Sequence, residues 1–270
     1  LMSAQLSLTI DWAKLDDTAL SASADLAGCK VVKSPSRLSA EALEGAFIHR
    51  VPVGDGWSGY LLGPGNPDFV PLAEISPHLV RSVIYTEDPT FYEHQGFSGD
   101  FQGALVRNLK EGRIGWGGSS ITNQMVKNVF LTRDKTLARK LQEFILTWHV
   151  ENAISKERIL EIYFNAIEYG PGLYGIGRAA DLYFKRTPRR LGVIESAFIS
   201  TLLPAPAVRY QQYCRRAHTL WTQQKIENIV DGMWTRELID EEAYLLAIEA
   251  PLYFRGDPAS EPMCAGKVRK

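Results

Sequence analysis

The sequence predicts a mainly α-helical protein preceded by a β-rich N-terminal segment. Three observations carry this reading. Leu6, Leu8, Ile10 and Trp12 alternate with Gln5, Ser7, Thr9 and Asp11, the period-two pattern of a half-buried strand. Gly54, Gly56, Gly59, Gly63, Pro64, Gly65 and Pro67 then punctuate short apolar pieces such as Gly59-Tyr60-Leu61-Leu62, a strand-and-turn composition. From about Pro71 onward the apolar residues recur at helical spacing instead.

The helical elements follow in order. Ser76-Pro77 starts a helix with proline in its first turn. Leu137, Leu141, Phe144, Ile145 and Trp148 form one stripe, which predicts a helix that packs this face and displays Arg139, Lys140 and Glu143 on the other. Ser155 is a candidate cap for a helix through Ile159, Leu160, Ile162, Tyr163 and Phe164. The glycines and proline of Gly170-Pro171-Gly172 and Gly175-Ile176-Gly177 predict a tight turn before the next helix. Pro204 and Pro206 end an apolar helix near Leu203, and two amphipathic helices are expected up to Trp234 and from Glu237 to Ala250. The organisation expected is a β-rich segment over 1–69, a core over 70–210 and C-terminal helices over 211–270 packing on it.

Composition excludes some classes. At 45% hydrophobic and 23% charged residues, the 270-residue chain is neither disordered nor collagen-like. Its net charge of -1 lacks the basic excess of a nucleic-acid binder. No run of 18 apolar residues occurs, so no membrane span is expected in this chain, and its start resembles no signal peptide. Beginning at Leu1, the chain reads as a piece of something longer, with any anchor lying outside it. Cys29, Cys214 and Cys264 show no metal spacing, and their odd count argues against a disulfide framework. Charge is locally uneven: residues 107–140 hold eight basic against two acidic side chains, or +6, which points to an anionic ligand or surface.

Several stretches bear chemistry. Glu87, Asp88, Glu93 and His94 crowd carboxylates and an imidazole together, and adjacent buried carboxylates raise one another's pKa, as suits a proton acceptor. Gly115 to Asn128 reads as a glycine loop feeding a helix whose first N–H groups attract anions, with Lys127 further along it. Arg139, Lys140 and Glu143 make a third group. Each, taken alone, also reads as ordinary structure: a polar helix end, a capped helix, a solvated face.

Together they resemble the peptidoglycan glycosyltransferases, the monofunctional transglycosylases and the glycosyltransferase domain of bifunctional penicillin-binding proteins. The motifs are Glu87-Asp88…Phe91…His94…Gly96, then Gly117…Ser119-Ser120-Ile121-Thr122-Asn123-Gln124…Lys127-Asn128, then Arg139-Lys140…Glu143, then Lys156…Ile159-Leu160-Glu161…Tyr163-Phe164-Asn165. They cover roughly residues 70–210. Ser120, Asn123 and Phe164 stand where the family usually has Thr, Gln and Leu, and Asn123 loses a methylene of reach at a position the family places in its cleft. No S-x-x-K or K-T-G sequence is present, so no transpeptidase half is expected, and residues 1–69 match no family motif.

The resemblance implies a lysozyme-like helical lobe with a cleft, plus a smaller membrane-proximal lobe sought in the stretch 98–118. It implies polymerisation of lipid II into glycan strands, inverting the donor anomeric centre and releasing polyprenyl diphosphate. By motif position Glu87 is the base and Glu143 the second carboxylate. Asp88, His94, Ser119, Thr122, Asn123, Gln124, Lys127, Lys135, Arg139 and Lys140 are implied to bind substrate. No obligatory cofactor is implied, although a divalent cation such as Mg²⁺ or Mn²⁺ suits a diphosphate, with Glu143 a candidate ligand. Implied partners are lipid II, the growing glycan, the membrane surface and a transpeptidase or other cell-wall synthesis protein. The implied location is the extracytoplasmic (periplasmic) side of the cytoplasmic (inner) membrane. Two other readings stay open: a glycan-cleaving lysozyme-like enzyme, and an inactive lipid II-binding module.

Overall fold

The computed structural model describes residues 3–9, 13–14, 19–25, 39–54, 56–97, 119–131 and 137–265. The stretch 98–118 and Lys135 lie outside these, as do the side chains of Leu137, Lys140 and Leu141.

The N-terminal part is β-rich, as its pattern predicts. β1 (Ser3–Thr9) pairs antiparallel with β2 (Ala19–Asp25), Ser3 facing Asp25 and Thr9 facing Ala19. β3 (Phe47–Val53) and β4 (Gly56–Leu62) form a second antiparallel hairpin in which Phe47 faces Leu62. Ala40, Leu43 and Leu62 join the same buried cluster as the helices, so the segment with β3 and β4 shares the main core.

The remainder is mostly helical. α1 (Pro77–Glu87) has proline in its first turn. The hydroxyl of Ser76, just before it, donates to Leu191 O at 2.7 Å rather than capping the helix. α1 stops at Glu87 because Asp88 precedes Pro89 and is pushed out of helical geometry, to φ -160°. α2 (Ile121–Phe130) begins at Ser120, whose Oγ accepts from the Asn123 N–H at 3.1 Å. α3 (Leu137–Ala153) and α4 (Lys156–Ala166) follow, the latter capped by Ser155. Ile159, Leu160, Ile162, Tyr163, Phe164 and Ala166 are all buried, so α4 is the central rod of the lobe.

A short hairpin of β5 (Glu168–Gly170) and β6 (Leu173–Tyr174) occupies the predicted turn. α5 (Ile176–Phe184), α6 (Val193–Leu202), α7 (Pro206–Cys214), α8 (Leu220–Thr235) and α9 (Glu241–Glu249) complete the main body. α1 packs chiefly on α6, α2 lies against α3 and α4, and α8 covers α1 and α6. No helix among the described residues is long and apolar enough to cross a membrane.

Two expectations are corrected. The first concerns the faces of α3. Glu143, Leu146, Thr147 and Val150 point inward, whereas Phe144 and Ile145 are 40% and 54% exposed. Of the expected stripe, Phe144 and Ile145 therefore lie off the packed face, while Trp148 is half-buried. Glu143 tolerates burial because Arg139, one turn earlier, sits 2.9 Å from its Oε2. Phe144 finds a partial shelter by stacking on Phe97, centroids 4.4 Å apart.

The second concerns the cysteines. Cys214, at the end of α7, and Cys264, in the short helix α10 (Pro262–Ala265), form a disulfide. The odd total leaves room for one bridge, and a pair 50 positions apart shows no local spacing to betray it. The bridge fastens a C-terminal strap over α5. Phe254 packs 5.1 Å from Phe198 and 5.7 Å from Tyr213, centroid to centroid, and Arg255 N–H donates to Tyr183 O at 2.9 Å. At Gly256 a Cβ would lie 1.9 Å from Leu182 O, so only glycine lets the strap run this close.

Candidate active site

The site is built where the end of α1 meets the start of α2. Glu87 closes α1 and is half-buried. Burial raises its pKa above the ordinary carboxylate value, and the nearby Asp88 charge adds a smaller push the same way. A position at the carboxyl end of a helix also disfavours the anion. Opposing this, Gln124 Nε2 donates to Glu87 Oε2 at 2.9 Å, and the charges of Lys225 and Lys127 favour ionisation. The sequence expectation of carboxylate–carboxylate repulsion is thus a minor contribution, and desolvation the main one. The outcome is a carboxylate held reluctant to ionise, within reach of two exposed cations.

Asp88 has a different task. It has no exposed surface, and its carboxylate accepts from His94 Nε2 at 2.8 Å and from the Ile121 N–H at 3.1 Å. The anion at the start of α2 is therefore the protein's own. His94 Nδ1 accepts from the Gly96 N–H at 2.9 Å, so the ring proton sits on Nε2 and points at Asp88. Gly96 has φ +88°, and a Cβ there would lie 2.6 Å from Thr147 Cγ2. Its carbonyl accepts from Ser120 Oγ at 2.5 Å. Asp88, His94, Gly96 and Ser120 together latch the end of α1 to the start of α2.

The other residues singled out by sequence divide in two. Thr122 is fully buried and donates to Glu151, which also pairs with Lys156 at 2.8 Å. Asn123 is nearly buried, its Oδ1 accepting from Thr147 Oγ1 at 2.6 Å. Both therefore join α2 to α3. Ser119 and Gln124 stay half-buried, with Gln124 Nε2 also 3.4 Å from Ser119 O. Lys127 is exposed and Arg139 is partly exposed beside Glu143, while Lys140 lies on α3 with its side chain outside the described residues.

Two contributors lie outside the sequence reading. Lys225 projects from α8, more than a hundred residues from Glu87, and bears on it electrostatically. Only the packing of α8 on α1 reveals that. Tyr163, buried in α4, donates to Gln124 Oε1 at 3.0 Å. No group of three or more His, Cys, Asp or Glu side chains among the described residues is placed to hold a metal ion.

The transglycosylase family model matches residues 60–233. The chain belongs to the transglycosylase family. The match takes in most of α8, with Lys225, beyond the reach of the four motifs. This transglycosylase is 40% identical over 166 residues to a biosynthetic peptidoglycan transglycosylase of Nitrosospira multiformis, covering 61% of this chain and 70% of that one. It is 44% identical over 146 residues to the protein of that name from Aromatoleum aromaticum, covering 54% and 63%. It is 40% identical over 168 residues to that of Methylobacillus flagellatus, covering 60% and 72%. The transglycosylase thus spans between 63% and 72% of the length of these relatives.

Proposed function

We propose that this transglycosylase polymerises lipid-linked disaccharide-pentapeptide units, lipid II, into glycan strands. The observation that carries the reading is Glu87: a carboxylate with a burial-raised pKa, hydrogen-bonded by Gln124 and faced by Lys127 and Lys225. A base must bind its proton well enough to take one, yet be ionised when the reaction starts. Burial provides the first property, and the cations with Gln124 provide the second.

In this reading Glu87 removes the proton from the 4-hydroxyl of the acceptor sugar. The acceptor oxygen bonds to the donor anomeric carbon from the face opposite its diphosphate. The bond from that carbon to the phosphate oxygen breaks, the electron pair leaves with polyprenyl diphosphate, and the carbon inverts. Lys127, Lys225 and Arg139 offset the charge that develops on the leaving group. Lys135 and Lys140 belong to the same basic block and are assigned the same duty. Glu143 orients Arg139 through their 2.9 Å pair. Asp88, His94, Ser119, Thr122 and Asn123 act by holding the helices that bear these groups.

A divalent cation, if it takes part, would be held jointly by Glu143 and the substrate diphosphate rather than by a protein cage. Glu143 is a single carboxylate, and its Oε2 is engaged by Arg139.

The disulfide supports an extracytoplasmic location, where oxidation is permitted. Lipid II, the growing strand and the membrane surface are the partners proposed, together with a transpeptidase to cross-link the product. Glycan cleavage is disfavoured, because cations gathered at the base have no diphosphate to meet in that reaction. The test is to incubate the purified chain with lipid II and look for a glycan ladder sensitive to a phosphoglycolipid mimic of the growing strand. The wild type should produce it and a folded Glu87→Gln variant should not. Release of soluble fragments from purified sacculi would instead establish cleavage, and tight lipid II binding without any product would establish a binding module.

A further inference from the structure

Three helices meet at the carboxylate of Glu87. It ends α1, Gln124 reaches it from α2, and Tyr163 reaches Gln124 from α4. The Tyr163 hydroxyl donates to Gln124 Oε1 at 3.0 Å, and Gln124 Nε2 donates to Glu87 Oε2 at 2.9 Å. Tyr163 has no exposed surface, so water cannot serve its hydroxyl. Its ring is wedged in the core, edge-on to Phe164 with centroids 5.9 Å apart, in the buried C-terminal half of α4.

The consequence lies in the asymmetry of an amide. One end of Gln124 accepts and the other donates. With the hydroxyl occupying the oxygen, the NH₂ end is turned to Glu87. The reverse orientation would set an oxygen lone pair against a carboxylate. The carboxylate takes the NH₂ end, and the rigid hydroxyl, its buried proton donated to the amide oxygen, braces Gln124 from the far side and fixes which way Glu87 Oε2 faces. We propose that Tyr163 is a positioning residue, acting through Gln124 to hold Glu87 in its reactive orientation. This rests on Glu87 being the base.

The experiment measures polymerisation of lipid II across pH in Tyr163→Phe, which keeps the ring and removes the hydroxyl. Expected are a kcat lower by about tenfold, a KM close to wild type, and an acid limb of the rate profile displaced to higher pH. Gln124→Leu should displace the acid limb in the same direction, and the double variant should lose little more than the worse single variant. A folded Tyr163→Phe protein with an unmoved acid limb overturns the proposal, as do losses that simply multiply in the double variant. Should Tyr163→Phe fail to fold, Gln124→Asn takes its place, because an amide one methylene shorter cannot reach both partners. An undisplaced acid limb there overturns it equally. The base assignment is checked separately: activity in Glu87→Gln removes it, whereas an inactive Glu87→Gln with a normal Tyr163→Phe removes the relay alone.

Discussion

Asn123 Oδ1 accepts a 2.6 Å hydrogen bond from Thr147 Oγ1, and this bond ties α2 to α3 one turn beyond Glu143. The next residue along α2, Gln124, holds Glu87. Two successive side chains on one helix therefore connect the neighbourhoods of the two carboxylates. Asn123 stands where the resembled family usually carries glutamine. In this protein the shorter amide is matched to a threonine hydroxyl in a nearly closed space.

Thr147→Val should expose the importance of that bond. The exchange keeps the volume and deletes the donor, leaving the buried Asn123 oxygen without its partner. The expected cost is about 1–3 kcal/mol of stability. Urea unfolding should show a lower midpoint at an unchanged slope. An unchanged midpoint would mean that this bond adds nothing to the joint, which Thr122–Glu151 and apolar contacts would then hold.

Glu87 should make stability depend on pH in the direction opposite to a salt-bridged acid. Its pKa is raised in the folded protein, chiefly by burial. Its contribution to stability is therefore fully present below the unfolded carboxylate pKa and is lost as pH rises through the folded value. Glu87→Gln removes this dependence. The variant should melt above the wild type at neutral pH, and the gap should close on acidification. Catalysis runs the other way, since a base must be ionised, so wild-type activity should rise over the same interval in which stability falls. A wild type as stable as Glu87→Gln at neutral pH would contradict the raised pKa.

Much of this was legible in the residues, and the exceptions share a cause. Helix starts at Pro77, Ile121 and Lys156 follow from Ser76-Pro77, Ser120 and Ser155, because capping and proline geometry act over a few residues. The location of Glu87 at a helix end follows from Asp88-Pro89. The orientation of α3 does not follow: Phe144 and Ile145 of its hydrophobic stripe face out, while Glu143 and Thr147 face in. Periodicity reports hydrophobicity, and here a charge pair and a hydrogen bond to Asn123 outweigh it. Lys225, Tyr163 and the Cys214–Cys264 bridge were hidden for a simpler reason. Each depends on a contact across a long stretch of chain, which local spacing cannot encode.

The bridge gives a chemical prediction. Thiol titration of the unfolded, unreduced chain should count only Cys29, and reduction should raise the count to all three cysteines. Cys214→Ser should lower stability by about 2–4 kcal/mol, since the link closes a long loop in the unfolded chain. The loss should appear first as release of the strap around Phe254, seen as faster amide exchange at Arg255. Three reactive thiols without reductant would show that the pair is not joined.

Lys225 offers the sharpest check on how the site is assembled, because nothing near it in sequence resembles the motifs. Its charge, like that of Lys127, favours the ionised form of Glu87. Lys225→Met keeps the aliphatic stem and removes the charge, so Glu87 should hold its proton to higher pH and the acid limb of activity should move upward. Lys127→Met should act in the same sense. Both side chains are exposed, so salt screens their influence, and added salt should displace the wild-type limb toward the variants while moving the variants less. Lys225→Met should also weaken donor turnover more than it weakens folding, because an exposed lysine contributes little to stability. A Lys225→Met enzyme with the wild-type pH profile at low salt would place α8 outside the electrostatics of the base.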